Sequence, residues 1–253
     1  GPEDLRLTLD ALVGHPNTAP FIARQLIQRL VTDNPSPAYV YRVSQQFGTT
    51  GNLGAMVRAI LTDYEARSPV VAAAPGYGKL REPLLRLTGI LRSFSAAPFS
   101  GHYSVYFNNP EGNLAQAALR APSVFNFFEP GYVYPGPLAA AGLVVPELQI
   151  TNDTTAISTA NFFRDTIFRS AGTGANAPNI TQLTLTVEQA LVADMPAFLD
   201  YLNLVMCAGH MSDATRTRIA TALAALATNT SAFEAARTAI LLTATSPEGS
   251  TQR

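Results

Sequence analysis

Few side chains in this sequence could do chemistry: three histidines, one cysteine and a basic set of 17 in which only Lys79 is a lysine. His15 precedes Pro16 in a helix-breaking corner that could turn its imidazole toward a cleft; the plainer expectation is a residue closing a helix C-terminus. His102 sits beside Ser100 and Tyr103 in an irregular stretch. A Ser/His pair there would need an orienting carboxylate and an oxyanion hole, and no Gly-x-Ser-x-Gly elbow occurs. Cys207 and His210 are spaced to share one helical face, which would suit a thiolate pair. The run Leu204-Val-Met-Cys207 reads instead as a buried thiol. No two-histidine metal spacing and no calcium loop is present, so no metal and no cofactor is expected. Gly76-Tyr-Gly-Lys79 fails as a phosphate loop: Leu80 stands where Ser or Thr should meet magnesium, and Ala73 replaces the upstream glycine.

The densest candidate lies elsewhere. From Arg120 to Pro137 the chain packs three Phe, two Tyr and four Pro onto a backbone that Pro and Gly hold irregular. Phe125, Phe127 and Phe128 cannot share a helical face, because about 100° per residue spreads them. Rings with hydroxyl tips at Tyr132 and Tyr134 suit carbohydrate or peptide recognition, with Arg120, Asn126 and Phe127 beside them. The alternative is a plug between helical lobes. Arg81, Glu82 and Arg86 head a helix; the arginines either pair with Glu82, Glu129 or Glu147 to pin this segment, or grip an anionic ligand.

These residues must be positioned by helices. Helical spacing predicts elements over 3–13, from about 20 to 31, 37–47, 53–66, 80–91, 114–119, 122–128, 137–142, 187–208, 213–227 and 231–243, and a long one opened by Pro146 and running to about Ser170. The fold expected is all-α, about ten helices around a long irregular centre. Residues 1–94 read as one lobe, 95–145 as the Pro/aromatic segment and 146–253 as a second lobe, within one domain overall. Ala171 to Thr181 reads as a small-residue linker. The ends echo each other at a near-constant offset: Thr18-Ala-Pro-Phe21 with Asp194-Met-Pro-Ala-Phe198, Ser36-Pro37 with Ser212-Asp213, and Arg58 to Thr62 with Arg237 to Thr243. An internal three-helix repeat explains this; so does the general likeness of Ala/Leu/Arg-rich helices.

Composition narrows the partners. A net charge of −1 gives nothing to steer the chain to nucleic acid, and no apolar run is long enough for a membrane span. Only 14% of residues are charged, which leaves apolar surface for neighbouring helices or another chain to cover.

Several stretches resemble the large bacterial family catalogued as domain of unknown function 1800: His15 to Leu26, Asn34-Pro-Ser-Pro37, Gly78 to Arg86, Leu119 to Phe128, Pro130 to Leu143 and Pro146 to Ile150. The closing Ser246-Pro-Glu-Gly-Ser-Thr-Gln-Arg253 is similar too, except that Gly249 stands where an aromatic is expected. The resemblance implies the C-terminal half of a longer, exported protein, extracytoplasmic, with no established chemistry. Three functions are therefore expected to compete: a helical scaffold that binds a polysaccharide or protein partner through its aromatic centre, a hydrolase-type enzyme using His15, Arg81 and Glu82, and a subunit of a homo-oligomer or filament.

Overall fold

A computed structural model of the chain describes residues 1–98, 100–101, 110–169 and 181–253. His102, Tyr103 and nearly all of the 171–181 linker lie outside the described residues. The chain is all-α. In order come α1 (Pro2–Gly14), α2 (Thr18–Leu30), α3 (Pro37–Ser44), α4 (Leu53–Thr62), α5 (Tyr64–Arg67) and α6 (Pro69–Ala72). A two-residue strand β1 (Lys79–Leu80) precedes α7 (Pro83–Ser93), α8 (Pro110–Leu114), α9 (Pro137–Ala140) and a 3-10 turn at Pro146–Gln149. Then follow α10 (Asp153–Phe168), α11 (Thr186–Leu191), α12 (Met195–Cys207), α13 (Asp213–Ala224), α14 (Ala232–Ala244), α15 (Pro247–Ser250) and β2 (Thr251–Gln252), which pairs with β1.

The helices are more numerous than the periodicity suggests because polar caps cut them short. Asp63 ends α4 with extended backbone and accepts the Glu65 N–H, so 53–66 is two helices. Asp194 accepts the Ala197 N–H and Pro196 follows in the first turn, which divides 187–208. Asn152, not Pro146, opens the long helix α10 through a capping box with Thr155. The helix expected around 114–119 instead ends at Leu114 as α8, and none forms over 122–128: Ala115, Leu119 and Asn126 all take positive φ, which a right-handed helix forbids.

The chain divides into two compact units. The first comprises residues 1–79, 130–146 and 252–253; the second comprises 80–129 and 147–251. In the first, α2 packs on α3 and α4 around Ile27, Tyr39, Val43, Met56 and Ile60. Gln28 and Asn34 bind the 130–146 segment by its backbone: Gln28 donates to the Pro130 carbonyl, and Asn34 both donates to and accepts from Val144. Buried Lys79 donates to the Gln28 carbonyl near the end of α2, where a cation suits the helix dipole. The leucines of α1 at 5, 7, 9 and 12 are exposed.

In the second unit α14 is the hub, packed by α10, α11, α12 and α13 around Phe163, Phe198, Leu202, Ala236 and Ile240. Each unit holds the same succession: a helix with proline in its first turn or two, a Ser-capped helix, a third capped helix and a one-turn helix bearing a carboxylate. Ser36 caps α3 and Ser212 caps α13. Glu65 accepts from the Ser36 hydroxyl, as Glu248 accepts from the Ser212 N–H and the Thr215 hydroxyl. Tyr39 and Val43 face inward on α3, as Thr215 and Ile219 do on α13. The echo read in the sequence thus has a counterpart in the caps and buried faces.

Candidate functional site

His15 follows α1 as its C-cap and is exposed. Its Nδ1 accepts the Asn17 N–H at 3.2 Å, and no carboxylate or hydroxyl among the described residues bonds to it. That is a turn contact, not an acid–base pair. His210 is exposed and its backbone N–H reaches the Cys207 carbonyl, while the thiol is buried. Burial pushes that thiol up to about 11, Glu248 adding to the rise and Arg81 opposing it. Cys207 is therefore a structural thiol; in the folded protein at mildly alkaline pH it is expected to resist alkylation by iodoacetamide, reacting at once in denaturant, as mass spectrometry of the adduct would show.

Arg81 and Arg86 lie together in the second unit, but neither pairs with Glu82, Glu129 or Glu147 as the sequence suggests. Glu82 stands just before α7 without a side-chain bond to its N–H groups and accepts from the Gln116 amide, whose oxygen in turn takes the Leu84 N–H. Arg86 donates to the Ala244 carbonyl at 2.7 Å and lies over the Phe163 ring, 4.9 Å from its centroid. Arg81 donates to the Met206 carbonyl at 3.3 Å. Both carbonyls belong to the last turns of helices, which hold cations by their dipole.

The aromatic centre separates by exposure. Phe128 is buried, Phe127 and Asn126 are half-buried, and Phe125 is 75% exposed. Arg120 is exposed beside them in the second unit. In the first unit Tyr132 is half-buried, its carbonyl taking the Val145 N–H, and Tyr134 is exposed. The ring-rich segment is thus partly anchored and partly open.

A feature the periodicity concealed is a groove of about 770 Å³ in the first unit, where the start of α2 meets α3. Four prolines (Pro16, Pro20, Pro35 and Pro37) shape it, Phe21 and Tyr41 line it, and Asn17, Arg24 and Gln45 supply polar groups. Phe21 reads in the sequence as part of the buried stripe of α2, yet it is 62% exposed, as is Tyr41 at 64%. The inward face of α2 is set by Ala23 and Ile27, which at about 100° per residue stand roughly 160° and 120° round the helix from Phe21. The signal that could have found the groove is the pair of proline-flanked corners, Ala19-Pro-Phe21 and Asn34-Pro-Ser-Pro37, which hold the backbone away from the rings.

Among the described residues no group of three metal-ligating side chains occurs and no helix is long and apolar enough to cross a membrane. No curated protein and no solved structure matches the chain. One family model does, over residues 1–249, and it is described as a protein of unknown function. Nearly the whole chain, including the Pro-shaped groove, the arginine pair and the ring-rich segment, therefore belongs to the DUF1800 family.

Proposed function

We propose that this is a non-catalytic binding protein that recognises an extended polysaccharide through its aromatic surface, with the groove of α2 and α3 as the principal contact. The observation that carries this reading is the groove itself: two largely exposed rings, Phe21 and Tyr41, beside amide and guanidinium groups. Ring faces take the C–H surface of a sugar, and planar amides and guanidinium pair with neighbouring hydroxyls. Asn34 is not available for this, because Val144 occupies both ends of its amide. The volume lies toward the upper part of the roughly 300–1,000 Å³ of ordinary ligand pockets, so several sugar units fit. Phe125 and Tyr134 add open aromatic surface to their own units. A polysaccharide ligand also agrees with an extracytoplasmic place of action.

A hydrolase reading has less support, since His15 is bonded only to a turn N–H. The competing occupant of the groove is a proline-rich peptide, which aromatic grooves also accept. The test is a glycan array followed by calorimetry of the best glycan, with proline-rich peptides in parallel. Phe21→Ala and Tyr41→Ala are each expected to weaken glycan binding by about tenfold or more, as buried aromatic anchors do. Peptide binding without glycan binding would overturn the reading.

A further inference from the structure

The second unit contains a cavity of about 250 Å³ whose wall includes Arg81 and Arg86 together with Thr155, Thr159, Thr245 and Ser250. Both arginines also border a void of about 20 Å³ against Gly89 and Met206. Gly89 leaves room for this arrangement: a Cβ there would come within 3.0 Å of the Arg81 Nη2.

The charge around the pair does not balance. The Arg81 guanidinium stands close enough to oppose the charge on Arg86, and no carboxylate among the described residues bonds to either. What they have are two carbonyls, Met206 in the last turn of α12 and Ala244 at the end of α14. A helix C-terminus offers the equivalent of about half a negative charge, so two such ends match one cation and leave the other uncompensated. Burial first, and the neighbouring Arg81 second, hold the Arg86 guanidinium down to about 10. Its Nε–H is buried and, among the described residues, has no hydrogen-bond partner. An unbonded buried donor on a side chain that lines a cavity, and an uncompensated cation beside it, are the requirements of an anion site.

The hydroxyls define which anion. Thr155 donates to the Ile150 carbonyl at 2.8 Å, Thr159 to Asn113 at 3.0 Å, Thr245 to Leu241 at 2.8 Å and Ser250 to Ser246 at 2.8 Å. Their protons are thus used inside the fold, and the lone pairs that remain can only accept. One part of the cavity donates through arginine and the other accepts through hydroxyl oxygen. At about 30 Å³ of liquid volume per water, the space holds about eight such volumes, which limits the ligand to a few carbons.

We propose that this cavity binds a small hydroxycarboxylate, its carboxylate gripped by Arg86 and Arg81 and its hydroxyl donating to the threonine oxygens. A bare carboxylate satisfies the arginines alone. Inorganic phosphate is rounder and carries its O–H on the same atom as its charged oxygens, whereas a hydroxycarboxylate sets its hydroxyl on a carbon outside the carboxylate. Glycerate and malate satisfy both walls. The site is independent of the polysaccharide groove, which lies in the other unit.

The experiment is calorimetry on the intact chain with sodium glycerate, malate, acetate and inorganic phosphate at matched ionic strength. Glycerate or malate should bind saturably and more tightly than acetate or phosphate. Arg86→Met should weaken them by about tenfold or more, the worth of one charge-assisted hydrogen bond. Thr245→Val keeps both arginines and removes a hydroxyl bonded only within its own helix, so the fold is not at stake. It should lower glycerate affinity and leave acetate unchanged, and Phe21→Ala should change neither. Since Arg86 also holds the end of α14, its Nε–H resonance in the unaltered protein gives a direct reading: it should shift saturably with glycerate. A resonance that does not move, phosphate binding as tightly as glycerate, or glycerate binding that survives Arg86→Met would each overturn the assignment.

Discussion

Gly249→Ala is expected to destabilise the second unit more than any other single-methyl change. Gly249 is buried in α15, and a Cβ built on it would overlap the Thr243 carbonyl oxygen and press on the Ala244 backbone at 3.3 Å. Backbone atoms cannot turn aside as a side-chain tip can, so either α15 or the end of α14 must move. Overpacking of this kind costs typically about 1–3 kcal/mol, and an overlap with fixed backbone belongs at or above the upper limit. For chains of this size about 3 kcal/mol corresponds to a fall of roughly 6–12 °C in Tm. Calorimetric melting checks it; a variant within about 1 kcal/mol of the parent would show that α15 is looser than described. The displacement would also move Glu248 from the Thr215 hydroxyl and Ser250 from the Arg81 N–H. The residue that departs from the expected aromatic in the closing signature is thus one that has no space for a side chain.

Arg42→Ala should produce the second large loss, this time in the first unit. The guanidinium meets Asp63 through two bonds of 2.8 Å and Glu65 through a third of 2.8 Å, and lies 4.7 Å from the Tyr64 ring centroid. Both carboxylates are largely buried, with side-chain exposures of 10% and 11%. Removing the cation leaves both without an opposite charge, though Glu65 keeps the Ser36 hydroxyl and Asp63 the Glu65 N–H. Breaking a buried pair costs roughly 3–5 kcal/mol. Arg42 is itself a third exposed, so screening places the loss near the lower end, about 3 kcal/mol. Urea unfolding measures it, and Arg42→Lys, which cannot span Asp63 with two parallel bonds, should lose a substantial part. The effect has a pH signature. The Arg42 bond holds the Asp63 carboxyl below its ordinary value, against burial, with the Glu65 N–H assisting. A depressed folded-state value means the stabilisation is complete above the unfolded value of about 4 and fades as pH falls through the folded one. Stability of the parent should therefore drop on acidification through that window, and Arg42→Ala should show a flatter profile.

Much of the architecture is legible from the sequence because it rests on local signals. Ser36-Pro37 and Ser212-Asp213 start helices through caps that act within three residues, and the structure has helices at both. What is not legible depends on backbone conformations that spacing does not encode. Positive φ at Ala115 and Asn126 stops the helix read over 114–119 at Leu114 and abolishes the one read over 122–128. At the candidate sites, Phe21 illustrates the limit: about 100° per residue sets it off the face that Ala23 and Ile27 bury, but spacing does not show that proline corners leave a groove beside the open ring. The arginine pair illustrates another. Residue types show that Arg81 and Arg86 want negative partners, but a helix end is not a residue type, and carbonyls of Met206 and Ala244 have no signature in a string of letters.

One tether has a temporal consequence. The Leu30 carbonyl near the end of α2 accepts from the Gln252 amide, 222 positions further along. At about 5–20 residues per second, a ribosome needs roughly 10–45 s to supply that partner after Leu30 has been made. During synthesis this bond therefore stays open while all the residues between its two partners are made. A nascent chain of this design has a long interval in which holdase chaperones could engage it before that bond forms.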